Sequence, residues 1–165
     1  MKRAILATLV ALSLAACGDS GSPAKKDADS GASTTVELKD APKPGEEGRT
    51  PSSAGAKVFI TEPKDGATVK SPVTVKFGVE GMVLAPASSD TPNSGHHHLL
   101  IDAKPDDSGV PVPADATHIH YGKAQTEGQI ELAPGKHTLQ DVFADKNHIP
   151  LVPPVESEVV TITVE

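Results

Sequence analysis

The residues of this chain best equipped for chemistry are its histidines. All seven, His96, His97, His98, His118, His120, His137 and His148, fall between positions 96 and 148, and none in the first ninety-five. Two His-x-His pairs stand out, His96/His98 in "GHHHLLID" and His118/His120 in "THIHYG". On a β-strand, residues two apart project from one face, about 7 Å apart along the chain. Two imidazoles so placed can hold one ion through neutral nitrogen donors suited to zinc or copper. With a single Cys and two Met in the whole chain, a soft copper(I) site is disfavoured, which leaves copper(II) or zinc as the expected ion. His148, in the phrase "DKNHIP", follows a strand and can join the others where strand ends and loops meet at a rim. The candidate ligands are therefore His96, His98, His118, His120 and His148. Because a protonated imidazole cannot donate to a metal, binding is expected to weaken as pH falls through the imidazole range near ~6.5.

Alternation divides the triplet. If Leu99 and Ile101 face a core, His97 faces it too, while His96 and His98 share the opposite face with Leu100. His137 falls in register with Leu139 and Phe143, half buried near the start of its strand. His97 and His137 are expected to be hydrogen-bonded structural residues. The four histidines of the two pairs fit a metal site and fit polar residues of a strand edge about equally well, and the spacing is neither a zinc-finger nor a metalloprotease signature. A metal-dependent hydrolase would need an open coordination position and a general base. Glu127 and Asp141 are available as bases, but nothing in their spacing demands that role. There is no serine nucleophile motif and no phosphate-cradling glycine loop, so no catalytic residue is assigned.

The elements that must position these side chains are strands. In "SPVTVKFGVEG", Val73, Val75, Phe77 and Val79 point one way and Thr74, Lys76, Gly78 and Glu80 the other, the period of a half-buried strand. "SEVVTITVE" repeats the pattern with Val160, Ile162 and Val164 inward. "KVFITEPKDGATV" reads as two short strands about a Pro63 and Asp65-Gly66 turn. "HHHLLID", "GQIEL" and "GKHTLQDVFAD" supply the others. About seven short strands with turn signals between them predict an all-β fold, an immunoglobulin-like antiparallel β-sandwich. A lone Cys and the absence of Trp exclude the antibody type.

This domain is expected over residues 57–165. Ahead of it, Lys2 and Arg3 form a positive start, followed by an apolar run from Ala4 to Leu14 that is too short for a membrane-spanning helix of about 20 residues. Residues 1–16 read as a signal peptide. Leu14-Ala15-Ala16-Cys17 resembles the bacterial lipobox, in which the Cys becomes the first mature residue and carries lipid. Acyl chains contribute about 0.8 kcal/mol per buried methylene, so two or more anchor stably. Cys17 is thus the expected lipidation site. Gly18 after it favours, by resemblance to enterobacterial sorting rules, the outer membrane, facing the periplasm. Residues 17–56 are rich in Gly, Ser, Ala, Pro, Asp and Lys and bury too little to offset their ordering entropy, so they are expected to form a flexible tether.

Net charge is −7, and loss of Lys2 and Arg3 takes 15 basic residues to 13 against 22 acidic, or −9. Such a body is a poor partner for nucleic acid or an anionic membrane surface. With only Phe59, Phe77, Phe143 and Tyr121 as aromatics, stacking platforms for single-stranded nucleic acid are also disfavoured.

The phrases "SGHHHLLID", "HYGKAQTEGQIELAPGKHTLQDVFADKNHIP" and "PPVESEVVTITV" together resemble the bacterial domain-of-unknown-function 4399 family, from about residue 57 to the end. The resemblance implies an exported sandwich domain and supplies no function. His96, His97, His98, His120, His137 and His148 lie in phrases that look like family motifs; His118 fits them less well. Many members carry a histidine after "HIP", where this chain has Leu151, so a site completed there would lack one ligand. The functional expectation is a lipid-anchored envelope protein whose histidine-rich sandwich binds copper(II) or zinc. The alternative is an envelope module without metal, with structural histidines and an as yet unidentified protein partner. A metal-dependent hydrolase ranks last.

Overall fold

A computed structural model describes residues 47–165. The expected signal peptide, Cys17 and the expected tether as far as residue 46 lie outside the described residues. Within them there is no helix, and the chain runs through β1 (Lys57–Glu62), β2 (Thr68–Val69), β3 (Val73–Glu80), β4 (Val83–Leu84), β5 (Ser94–Ile101), β6 (His118–Tyr121), β7 (Glu127–Ile130), β8 (Gly135–Ala144), β9 (Pro150–Glu156) and β10 (Val160–Val164).

Two sheets form. The smaller has the order β1-β3-β7, antiparallel throughout. The larger has the order β2-β10-β8-β5-β4, with β6 added to β5 and β9 to β8. Two short pairings in it are parallel, β10 with β2 and β4 with β5. Val73, Val75, Phe77 and Ile130 from the small sheet pack against Leu99, Ile101, Tyr121, Leu139, Val160, Ile162 and Val164 from the large one. The protein is therefore an immunoglobulin-like β-sandwich, with alternate residues of β3 and β10 buried as the period-two pattern predicts.

Three elements depart from expectation. β5 does not alternate in burial, although its side chains alternate in direction: every residue from Gly95 to Ile101 is buried. It has β8 along one edge and β4 then β6 along the other, and loops cover its outer face, so neither side meets water. β9 is a strand despite Pro150, Pro153 and Pro154. Of the ten strands it pairs with β8 alone, with a register irregularity between Phe143 and Ala144, and proline is tolerated on such an edge because its missing N–H need not enter a ladder. Part of the segment expected to be tether, residues 49–52, is also joined to the fold. The Ser52 amide donates to the Val152 carbonyl at 2.8 Å and the Val152 amide to the Thr50 carbonyl at 3.0 Å, so residues 49–52 lie against β9. Polar composition says little about a segment whose ordering comes from main-chain hydrogen bonds.

Candidate metal centre

The strand register builds the site. β5 and β6 are antiparallel, with His98 opposite His120 and Leu100 opposite His118. Alternation puts His97, Leu99 and Ile101 toward the core and His96, His98 and Leu100 on the outer face. Directly opposed side chains on one face lie about 4.5–5.5 Å apart at Cβ, which brings the His98 and His120 rings together, stacked with centroids 5.0 Å apart and planes inclined by 29°. His96 joins from the neighbouring position on β5, with its ring 4.8 Å from His98 and 4.9 Å from His120. One ring nitrogen from each of His96, His98 and His120 lies within 4.8 Å of the others.

A fourth ring comes from the turn between β8 and β9. His148 lies 4.7 Å from His120, 5.1 Å from His96 and 5.7 Å from His98, centroid to centroid. Its backbone is left-handed, φ 66°, a conformation that costs a non-glycine residue roughly 1–2 kcal/mol. The turn is held by Asp145. The Asp145 carboxylate accepts from the amides of Asn147 and Ile149 at 2.8 and 3.1 Å, and its main-chain carbonyl accepts from the His148 amide at 2.8 Å. On the opposite side Gly122 makes room: a Cβ there would stand 2.2 Å from the His120 ring.

The electrostatics suit neutral nitrogen donors. His96 and His98 are fully buried. Burial, followed by the neighbouring histidines, pushes His98 down to about 2. Burial also pushes His96 down to about 4, with His120 and His148 acting in the same direction and the Asp145 carboxylate opposing. His120, at the surface, is lowered by what burial it has and by His148. The Nε2 atoms of His96 and His98 meet at 3.0 Å, and the Nδ1 atoms of both rings are buried without a partner. One shared proton is all that links two buried imidazoles. Two nitrogens on a tetrahedral zinc, at about 2.0–2.1 Å each, would stand about 3.3 Å apart, close to the separation found.

Of the five candidate ligands, His96, His98, His120 and His148 converge and His118 does not. His118 is on the face of His120 but one pleat further along β6, and its Nδ1 donates to the Asp115 carboxylate at 2.9 Å. It borders a separate cavity of about 230 Å³, walled by Leu100, Val112, Val142 and Pro150. Asp115, which also accepts from the Thr117 amide, captures the imidazole locally. His97 stacks on Phe77, 4.9 Å between centroids, and pairs through Nδ1 with the Asp141 carboxylate at 2.8 Å, both fully buried. Burial raises the Asp141 carboxyl against the pull of His97. His137 pairs with Asp102 at 2.7 Å and with the Ala133 carbonyl at 3.0 Å. The two residues weighed as general bases are elsewhere. Asp141 pairs with His97 on the core side of β5, and Glu127 begins β7 in the small sheet. Leu151 packs with Val58, Phe143 and Val155 in the core, on the face opposite the four rings, so a histidine there would not complete this cluster.

Asp145, Gly122 and Arg49, whose guanidinium holds the end of the His148 turn, are supporting residues that the histidine spacing does not reveal. "DKNHIP" does carry a signal for the first, since an Asp ahead of exposed amides favours a local turn.

No curated protein matches this chain. Among solved structures it is similar to the fibronectin(III)-like modules of Clostridium thermocellum CbhA, with 18% identity over 65% of this chain and 93% of that one and a TM-score of 0.40. Residues 75–165, from the middle of β3 through all four converging histidines, match the family profile described as domain of unknown function (DUF4399), and the chain belongs to that family.

Proposed function

We propose that this domain binds one divalent transition-metal ion, copper(II) or zinc, through His96, His98 and His120, with His148 as fourth ligand, and that Cys17 anchors it by lipid in the cell envelope. The observation that carries the metal reading is the convergence of four imidazoles from three separate segments, two of them fully buried and held neutral. Neutral imidazole is a ligand for both ions, and copper(II) outranks zinc in intrinsic affinity for nitrogen donors. Among the described residues the cluster contains no thiolate or thioether, in keeping with a borderline rather than a soft cation. The buried anion of Asp145 adds a favourable field for positive charge. The role that fits is capture, storage or delivery of the ion at the membrane surface.

Calorimetric titration of the untagged protein with copper(II) and with zinc tests this. One ion per chain is expected, with His98→Ala weakening it by roughly tenfold or more, at least the loss common for partners outside the first shell. Affinity no better than that of scattered surface histidines would end the metal reading and leave the interaction module. The anchor is tested separately: Cys17→Ala is expected to leave an unacylated precursor, and a processed, acylated variant would refute it.

A further inference from the structure

We propose that Arg49 is a positioning residue for this centre, acting through the turn that presents His148; the proposal rests on the metal reading given above. Among the described residues the Arg49 guanidinium makes no carboxylate pair. It spends its donors on main-chain carbonyls: Nε and Nη2 on Pro150 at 3.2 and 2.7 Å, Nη2 also on Leu151 at 3.3 Å, and Nη1 on Asp107 at 3.1 Å. Pro150 and Leu151 follow His148 by two and three residues. The next residue grips the other end of the turn, where Thr50 Oγ1 donates to the Asp145 carboxylate at 2.7 Å. That carboxylate is the same one that closes the turn by accepting from Asn147 and Ile149. The strap of residues 49–52 therefore holds the turn at its start and its end, with His148 between.

Such a hold is what His148 requires. Its φ of 66° is unfavourable for a residue with a side chain, and strained backbone persists only where surroundings over-determine it. Neither Arg49 nor Thr50 belongs to one of the ten strands, and all sheet pairings apart from the bridge between Pro51 and Val152 are made without the strap. Loss of the arginine fork is therefore expected to free the turn and leave the sandwich. Lysine cannot substitute, because one ammonium cannot span the carbonyls at the start of β9 and the Asp107 carbonyl in the way a planar fork does.

The test is a cycle on metal affinity with Arg49→Ala, His148→Ala and the double variant, titrated with copper(II) and zinc. Arg49→Ala is expected to weaken binding about tenfold, the range for a residue that orients a ligand, and to have no further effect when His148 is already Ala. Arg49→Lys is expected to behave as Arg49→Ala. An equal fall in both backgrounds would show that Arg49 acts elsewhere and overturn the proposal, as would full affinity in Arg49→Ala. Amide hydrogen exchange in the metal-free protein separates this from failure of the metal reading. Arg49→Ala is expected to speed exchange at Asn147, His148 and Ile149 and leave β5 and β8 protected. If wild type binds no metal but the turn loosens in this way, the metal reading has failed and Arg49 keeps only a hold on the turn; if the turn stays protected, the positioning itself is wrong.

Discussion

At the level of single residues, one triplet divides its work between two faces. His96 and His98 face the outer cluster, and His97, between them, faces Phe77 and Asp141. His97→Ala is expected to destabilise the metal-free protein by about 1–3 kcal/mol, because it leaves the buried Asp141 carboxyl without its partner; chemical denaturation measures this, and a neutral result would dissolve the assigned split. Acid should act on the other two. Unfolded, both rings protonate near ~6.5, whereas the fold holds His96 neutral to about 4 and His98 to about 2. Below ~6.5 the unfolded chain therefore binds more protons and stability falls with pH, by up to about 1.4 kcal/mol per unit for each group. Melting curves between pH 7.5 and 5 are expected to show a loss that is smaller in His98→Ala; an equal slope would refute the neutral pair. For the same reason the folded pair competes poorly for protons, and metal binding should weaken only at a pH below the ordinary imidazole range, lower than histidine content alone leads one to expect. The His96/His98 pairing was legible in the sequence because period two holds along β5. The diversion of His118 was not, because it depends on the turn of Asp115 three residues earlier.

At the level of elements, β3 shows alternation at its plainest. Phe77→Ala is expected to cost about 3–5 kcal/mol, since the ring is buried against His97 and Tyr121. Lys76→Ala should be near neutral, its contact with Glu62 being an exposed ion pair. Similar losses at both positions in urea titrations would contradict the register. Gly122→Ala on the outer face should leave stability largely intact but weaken metal binding, because the new Cβ displaces the His120 ring; unchanged affinity would place His120 outside the site. β3 and β10 were readable from pattern because each buries one face. β9 was not, because three prolines mask a strand that needs only one neighbour. β5 was recognised as a strand while its burial on both faces was not, since loops distant in sequence provide the cover.

At the level of the whole molecule, the proposed metal site would couple binding to the fold, because an ion that binds only the folded chain stabilises it. At a hundredfold excess over its dissociation constant that is about 2.7 kcal/mol, a rise in melting temperature on the order of 10 °C for a domain of this size. Calorimetric scans with and without zinc are expected to show the full rise in wild type and at most about half of it in His98→Ala at the same zinc concentration. The domain boundary is also a property of the whole chain. Arg49 and its contacts at Pro150 are separated by 101 residues, a distance over which no local pattern reports, so the attachment of residues 49–52 to the domain could be found only in three dimensions.

The four rings also stand at different depths. His120 is exposed, His148 half buried, and His98 and His96 sealed. An ion arriving from solvent must meet the outer rings first and move inward one ligand at a time, so depth becomes a sequence in time. Uptake should show a fast step proportional to ion concentration and a slower one independent of it. Release to a chelator should follow the slow step, since the competitor can reach only His120 and His148 until the ion has moved out again. His120→Ala would then slow loading out of proportion to its effect on affinity. A centre of this kind would keep its ion by delay as well as by strength, and would release it fastest to an acceptor that can reach the surface at His120.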